Sequence, residues 1–153
     1  MIEDLVMKGK LEYLYKQYCE ELDAYCEQKY PEGQDEAVFR DYVDDARAMI
    51  RPITLDDELI RFIITLRNYS MNIGEILIIA EAYIIPKYRR QGFMRRALSM
   101  IVSPNINEIE FMVYDKNPAL GYWRKMMEDF GFVKCYECQV EPGLTEYAYA
   151  RNA

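Results

Sequence analysis

Five basic residues and no acidic one lie in the stretch from Pro86 to Arg96, where a long apolar strand is predicted to give way to a helix. The first amides of a helix have no acceptor within the helix and carry partial positive charge, so an anion such as phosphate binds there. Gly92 lets a ligand approach the main chain closely, and neighbouring arginines can bind phosphate oxygens in pairs. The stretch therefore predicts a phosphate-binding loop. A basic loop before an ordinary amphipathic helix is the alternative, because short motifs often match by chance.

The chain has no histidine and four cysteines, at positions 19, 26, 135 and 138. The missing imidazole excludes Ser-His and Cys-His nucleophiles and the usual zinc-hydrolase ligand sets. Cys135 and Cys138 are three residues apart in a predicted strand and would point to opposite faces, so a zinc site is disfavoured and no metal is predicted. Cys19 and Cys26, one heptad apart on a predicted helix, are interpreted as small core residues. All four thiols are expected to be reduced.

The basic stretch resembles the pyrophosphate loop of the GNAT family of acyl-CoA-dependent N-acetyltransferases. That loop reads Arg or Gln, two residues, Gly, one residue, then Gly or Ala, after a strand that ends near a proline. Met94 stands where the family has a small residue, so the loop must widen or the methionine must fold away from the ligand. The resemblance implies acetyl-CoA as the co-substrate and no metal. It assigns the diphosphate to Arg89, Arg90, Gln91, Gly92, Phe93, Met94 and Arg95.

The strand that enters the loop, from Glu81 to Pro86, resembles a second segment found in part of the family. The resemblance implies that backbone groups of Tyr83, Ile84 and Ile85 hold the pantetheine arm.

Glu81 is the candidate general base on that strand. An acceptor ammonium must lose a proton before its nitrogen attacks a thioester, and partial burial raises a carboxylate's pKa towards that task. Pairing of Glu81 with Arg67 or with another residue of a neighbouring strand is the alternative. Glu75 and Glu108 are weaker candidates for the base.

A third segment, from Asn117 to Trp123 and followed by Gly131, resembles the family's Asn-x-x-Ala and aromatic-Tyr pattern. By this resemblance Asn117 contacts the pantetheine arm, and a tyrosine on the following helix donates a proton to the departing thiolate. Tyr122 is assigned that role. One residue is missing before Tyr122 relative to the family, so Trp123 is the alternative occupant of the same face.

Composition favours a single globular domain of 153 residues that is 51% hydrophobic. No apolar run approaches the roughly 20 residues of a membrane span, and the acidic start does not resemble a signal peptide, so a cytoplasmic protein without membrane contact is expected. Residues 1–58 carry a net charge of −9 and residues 59–153 one of +2. The acidic part argues against nucleic-acid binding. It is compatible with a cationic amine acceptor, although surface solvation explains it equally well.

Periodicity predicts two helices, then strands and helices in alternation. Residues 1–52 form the predicted helical part, and residues 53–153 the predicted sheet and CoA-binding part. The predicted bounds are Ile2 to about Tyr30 and Asp35 to about Ile50 for the first two helices, a short strand near Ile53, strands Leu59 to Tyr69 and Glu75 to Ile85, a helix from Phe93 to about Val102, a strand from Ile109 to Tyr114, a helix from Pro118 to about Asp129, and strands Phe132 to Val140 and Leu144 to Ala150.

This order is similar to that of the GNAT fold. The resemblance implies an α/β protein whose mixed central sheet has a V-shaped split flanked by helices, with the pantetheine arm in the split. The implied activity is direct acetyl transfer to a primary amine of a small molecule or protein. A non-catalytic protein of the same fold, for example a virion-associated one, is the alternative, and a homodimer is possible.

Overall fold

The computed structural model describes residues 5–27 and 31–151. A single 3₁₀ turn, Pro86–Tyr88, accompanies the four helices and six strands of this part of the chain. In chain order these are α1 (Leu5–Asp23), α2 (Gln34–Asp44), β1 (Ala48–Leu55), β2 (Glu58–Ser70), β3 (Gly74–Ile84), α3 (Phe93–Ile101), β4 (Ile106–Tyr114), α4 (Leu120–Asp129), β5 (Phe132–Glu141) and β6 (Leu144–Arg151).

The strands form one mixed sheet in the order β1-β2-β3-β4-β6-β5. Neighbouring strands are antiparallel except β3 and β4, which are parallel and joined through α3. A parallel pair needs such a crossover, because a tight turn can only reverse the chain. The predicted α/β class with a mixed central sheet is confirmed.

The predicted V-shaped split lies between β3 and β4. The two strands pair only from Glu75 to Ile79 on β3. Beyond that point, residues 81–84 pair only with β2 and residues 112–114 only with β6. We call these two unpaired strand ends the fork. Each leaves a row of backbone groups along one edge that an inserted ligand can bind as another strand would.

A β-bulge lies at the start of the fork. Ile64 of β2 faces Glu81 and the next residue, Thr65, faces Ile79, so Ala80 is an extra residue on β3. An extra residue shifts every following side chain to the other face of the sheet and bends the strand. The bulge therefore decides the face on which Glu81 lies.

Two cores cover the two faces of the sheet. Helices α1 and α2 pack on β1, β2 and the end of β3, with Phe39 and Phe62 among the fully buried side chains. Helices α3 and α4 pack on the opposite face with Leu98 and Met126. The fork opens between these two layers, so it is walled by α1 on one side and α4 on the other.

The prediction was wrong about the ends of the first two helices. Helix α1 ends at Asp23 rather than near Tyr30, and residues 2–4 and 28–30 of the predicted range lie outside the described residues. Helix α2 ends at Asp44, and Ala48–Leu55, predicted to be partly helical, is strand β1. The helical pattern of residues 48–50 is weak, and pairing with β2 makes this segment a strand. Strand β4 also begins earlier than predicted, at Ile106 instead of Ile109.

Within the described residues, no helix is both long and apolar enough to cross a membrane.

Candidate active site

Two neighbouring cavities occupy the fork and the basic loop beside it. The cavity beside the basic loop, which we call the phosphate-side cavity, has a volume of about 390 Å³. The cavity between the two strand ends, which we call the fork cavity, has a volume of about 160 Å³. The phosphate-side cavity is lined by residues of α1, the end of β3, the basic loop, the start of α3 and the start of α4. The fork cavity is lined by α1, by Ile79 to Ala82 of β3, by Phe111 to Tyr114 of β4, and by Asn117, Trp123 and Leu144.

A third cleft, of about 970 Å³, lies between α1 and the turn that joins β1 to β2. It is the largest of the three, but no residue of β4 or α4 lines it. We therefore place the candidate active site at the two cavities of the fork.

The start of α3 has the backbone geometry expected of an anion site. Gly92 caps the helix with φ 79°, a left-handed conformation that favours glycine. Arg96 donates the first intrahelical hydrogen bond, to the carbonyl of Gly92, so the amides of Phe93, Met94 and Arg95 have no acceptor among the described residues. A Cβ added at Gly92 would meet nothing within 4 Å. The loop thus offers unpaired donors next to open space, which fits a diphosphate.

The basic side chains of the loop divide into paired and unpaired ones. Arg89 binds both carboxylate oxygens of Glu21, at 2.8 and 2.6 Å, and donates to the carbonyl of Ile84 at 2.9 Å. Arg95 binds Asp129 at 2.7 Å. Arg90, exposed and with φ 64°, has no acidic partner among the described residues. Of the two arginines at the head of the motif, Arg90 is therefore free to bind an anion, and Arg89 ties the loop to α1.

Met94 packs into the core under α3, although it also borders the phosphate-side cavity. Its side chain is buried at 7% exposure among the core residues under α3. A small residue at this position is therefore unnecessary for the loop to remain open.

Arg61 of β2 is a residue that sequence reasoning missed. The residue is 4% exposed. Its guanidinium donates a hydrogen bond to the carbonyl of Phe93 and has a buried Nε without a partner among the described residues. Burial and repulsion from Arg96 lower its pKa. A buried cation directly behind the first turn of α3 strengthens the positive potential of that turn. Only the register of β2 against β3 places it there, and the sequence carries no signal for that register.

Glu81 lies in the wall of the fork cavity, on the α1 side of the sheet. The hydroxyl of Tyr18 donates a hydrogen bond to its Oε2, and that of Tyr42 donates one to its Oε1 at 3.3 Å. The predicted pair of Glu81 with Arg67 is wrong, because Arg67 lies 3.7 Å from Glu75 instead. Glu75 and Glu108 line neither cavity of the fork. Of the three carboxylates considered from the sequence, Glu81 is the one that the fold brings to the fork.

The surroundings of Glu81 tune its protonation. Burial raises its pKa, hydrogen bonds from Tyr18, Tyr42 and Tyr15 partly oppose that rise, and the net result is a pKa of about 7. The titratable groups that act on it are Tyr15, Tyr18, Cys19, Asp35 and Tyr42. Burial, followed by the Glu81 charge, also raises the pKa of the hydroxyls of Tyr15, Tyr18 and Tyr42. The tyrosines therefore stay neutral donors, while the carboxyl changes state near neutral pH.

The backbone of β3 was predicted to hold a pantetheine arm at Tyr83, Ile84 and Ile85. Tyr83 and Ile84 line the phosphate-side cavity, whereas Ile85 lies in the third cleft and donates its N–H to Ile60 of β2 at 3.0 Å. Because N–H directions alternate along a strand, those of Ala82 and Ile84 point towards the gap. The backbone N–H groups available to a ligand are therefore those of Ala82 and Ile84, so the ligand-binding segment begins one residue earlier than predicted.

Asn117 and Trp123 line both cavities, and Tyr122 lines only the phosphate-side cavity. The side-chain oxygen of Asn117 accepts from the N–H of Ala119 at 2.9 Å, which orients its amide at the start of α4. Trp123 packs on Phe111 with ring centroids 5.8 Å apart. Tyr122 is 41% exposed and lies under the guanidinium of Arg95 at 5.9 Å. The residue of α4 that reaches the fork is therefore Trp123.

No group of three or more metal-ligating side chains is found among residues 5–27 and 31–151. Cys19 is buried, and the thiol of Cys26 lies 3.6 Å from the hydroxyl of Tyr114. Cys135 and Cys138 are both exposed on β5.

Comparison with solved structures places this fold among acetyltransferases. An acetyltransferase from Thermus thermophilus is 19% identical, with a TM-score of 0.63 over 92% of this chain and 88% of that one. NAA60 of Arabidopsis thaliana in complex with a bisubstrate analogue is 16% identical, with a TM-score of 0.61 over 94% and 93%. The same protein has been solved with acetyl-CoA, at 15% identity and a TM-score of 0.59 over 92% of each chain. An acetyltransferase of the GNAT family from Streptococcus pneumoniae is 10% identical, with a TM-score of 0.55 over 94% and 92%.

No protein-family model matches this sequence, and no curated protein sequence matches it. The similarity is therefore one of architecture, and at these identities it establishes the fold alone. The chain has the GNAT acetyltransferase fold, with a split sheet. Beside the split, the first backbone amides of α3 have no hydrogen-bond acceptor within the described part of the chain.

Proposed function

We propose that the protein is an acetyl-CoA-dependent N-acetyltransferase that transfers the acetyl group directly to a primary amine. The observation that carries the proposal is the junction of the fork with the start of α3. Unpaired strand edges and unpaired helix amides open into adjoining cavities that share five lining residues. Solved neighbours of the same fold bind acetyl-CoA or a bisubstrate analogue, which supports this use of the two cavities.

The residues present fit coenzyme A. The amides of Phe93 to Arg95, together with Gly92 and the free side chain of Arg90, would hold the diphosphate. The backbone edge of β3 at Ala82 and Ile84 and the side chain of Asn117 would bind the amides of the pantetheine arm. Arg89 would act indirectly, by holding the loop against α1 through Glu21.

Glu81 would act as the general base, because a carboxyl with a pKa of about 7 can accept a proton from an ammonium and is still largely ionised above neutral pH. The nitrogen then attacks the thioester, and bound acetyl-CoA supplies the activated acyl group. No cysteine lines either cavity of the fork, so direct transfer rather than a covalent enzyme intermediate is the consistent route. Tyr122 stays the sequence-based candidate for protonating the departing thiolate. Positioning of the two reactants would supply much of the rate, roughly 7 to 11 kcal/mol in favourable cases.

The acceptor would be an amine of a small molecule or of a protein. The bisubstrate analogue bound by a neighbour of this fold supports a split that receives donor and acceptor together. The acceptor would reach Glu81 from the α1 side of the sheet, where the fork cavity is lined by Leu22, Met112 and Tyr114.

An assay of thiol release from acetyl-CoA tests the proposal. The protein is mixed with a panel of polyamines, aminoglycosides and peptides with free N-termini, and products are identified by mass spectrometry. We expect at least one primary amine to gain the mass of an acetyl group in a reaction that depends on the protein, at a rate that falls below pH 7 as Glu81 is protonated. Binding of acetyl-CoA without transfer to any amine would favour the non-catalytic alternative. No binding at millimolar acetyl-CoA would contradict both the activity and the co-substrate.

A further inference from the structure

Tyr18 of α1 lies where the two cavities meet. Of the residues that line both cavities, it alone has a titratable side chain. The five residues are Tyr18, Leu22, Ala82, Asn117 and Trp123. The hydroxyl of Tyr18 donates a hydrogen bond to Glu81. This phenol therefore contacts the candidate base and also borders the space through which an acyl donor would pass from the loop into the fork.

The ring of Tyr18 is held on three sides. It makes an edge contact with Phe62, with centroids 5.5 Å apart, and tilted contacts with Tyr83 at 5.5 Å and Tyr15 at 5.7 Å. Aromatic packing of this kind fixes the orientation of a side chain without using its hydroxyl. The hydroxyl is therefore held against Glu81 by a rigid support.

We propose that Tyr18 relays a proton from Glu81 to the sulfur of the departing thiolate. The inference rests on the proposed function, because it assigns a residue to the acetyl transfer. Glu81 first takes one proton from the acceptor ammonium. As the C–N bond forms and the C–S bond breaks with its electron pair going to sulfur, Tyr18 gives its proton to that sulfur and receives the proton held by Glu81. The second proton of the nitrogen leaves to water, and the products are the N-acetyl amine and the free thiol.

The relay solves an energetic difficulty. Burial raises the pKa of Tyr18 above its ordinary value near 10, so a phenol acting alone would protonate a thiolate, whose conjugate acid has a pKa of about 8.5, only uphill. Protonated Glu81, with a pKa of about 7, can give a proton to that thiolate downhill. If Tyr18 receives a proton from Glu81 as it gives its own to the sulfur, it stays neutral and no phenolate of high energy is formed. The hydrogen bond between Tyr18 and Glu81 is the contact that this transfer needs.

Tyr122 is less well placed for the same task. It lines only the phosphate-side cavity, it is 41% exposed, and its ring lies under Arg95. Tyr42 also donates to Glu81, at 3.3 Å, but lines neither cavity. These two tyrosines provide the comparison variants. Tyr122 lies on the opposite wall of the site, and Tyr42 donates a hydrogen bond to the same carboxylate as Tyr18.

The test compares Tyr18→Phe with Tyr42→Phe and Tyr122→Phe in steady-state acetyl transfer. Tyr18→Phe keeps the ring contacts, so its melting temperature and acetyl-CoA affinity should change little, while kcat falls about 100-fold or more. The acidic limb of its pH–rate profile should move to higher pH, because the hydrogen bond from Tyr18 lowers the pKa of Glu81 and is absent from the variant. In mixtures of H₂O and D₂O, the native protein should show the curved rate dependence of two protons in flight, and Tyr18→Phe should not. Tyr42→Phe removes the other hydrogen bond to Glu81, so its acidic limb should also move to higher pH, but it should keep the curvature.

Two results with the phenylalanine variants would overturn the relay. One is a Tyr18→Phe variant whose kcat and isotope dependence match those of Tyr42→Phe. The other is loss of the curvature in Tyr122→Phe and not in Tyr18→Phe. If Tyr18→Phe does not fold, 3-fluorotyrosine placed at position 18 retains the ring and makes the phenol more acidic, and an unchanged kcat with that residue would also overturn it. Failure of the native protein to bind or transfer acetyl groups contradicts the proposed function instead, so the two failures are distinct.

Discussion

Gly92→Glu is expected to weaken acetyl-CoA binding by at least about 100-fold in a calorimetric titration. Gly92 has φ 79°, which a residue with a Cβ adopts at a cost of about 1 to 3 kcal/mol. The new side chain would also place a carboxylate at the opening in front of the unpaired amides of α3, where it repels a diphosphate and competes for its donors. The two effects act together, so the loss should be the largest produced by any single change in the loop.

Gly92→Ala is the matched control, because it brings the backbone strain without the charge. A Cβ at this position meets nothing within 4 Å, so alanine adds no collision. We expect Gly92→Ala to bind within about tenfold of the native protein and Arg90→Glu to approach the loss seen with Gly92→Glu. Equal affinities for the alanine and glutamate variants would mean that the diphosphate lies elsewhere.

Glu81→Gln is expected to lower kcat by about 10²- to 10⁴-fold at pH 7.5, the usual contribution of a general base. The substitution keeps the size of the side chain and removes its ability to take a proton. In the native protein, kcat should rise with pH through an apparent pKa of about 7, and Glu81→Gln should lose that limb. Initial rates of thiol release between pH 5.5 and 9 measure both effects.

Stability measurements separate loss of the base from loss of the fold. The folded state raises the pKa of Glu81 from 4.5 to about 7, so its contribution to stability is complete below about pH 4.5 and is lost as pH rises through 7. Glu81→Gln should therefore be more stable than the native protein at pH 8. Glu137→Gln, an exposed ion-pair residue on β5, should keep native kinetics. A large loss in Glu75→Gln with normal activity in Glu81→Gln would assign the base to the other carboxylate.

The order of the elements could be predicted from residue 58 onward, because long periodic segments and clear turn residues occur there. Gly92 before an amphipathic helix, Gly131 after α4 and the turn at Gly143 each mark an end that the structure shows within a residue or two. The fork followed from the resemblance of the basic loop and its flanking strands. These features depend on local chemistry, which a sequence displays directly.

The features that could not be predicted depend on pairing between distant segments. The bulge at Ala80 depends on how β2 and β3 align, and it determines that Glu81 faces Tyr18 and Tyr42 rather than Arg67. The start of β1 inside a predicted helix has the same origin. Arg61 and Tyr18 carry no motif, and each lies at the site only because a strand or helix packs there. The roles of Tyr122 and of the α3 amides stay predictions until ligand is bound.

The central claim is that the amides from Gly92 to Arg95 bind the diphosphate of coenzyme A while its arm enters the fork. Titration of the ¹⁵N-labelled protein with coenzyme A, followed by amide chemical shifts and repeated with pantetheine alone, tests it most directly. We predict that coenzyme A shifts the amides from Gly92 to Arg95 and those of Ala82 and Ile84, and that pantetheine shifts only the second group. Shifts confined to the cleft between α1 and the β1–β2 turn, or none at either place, would contradict the account.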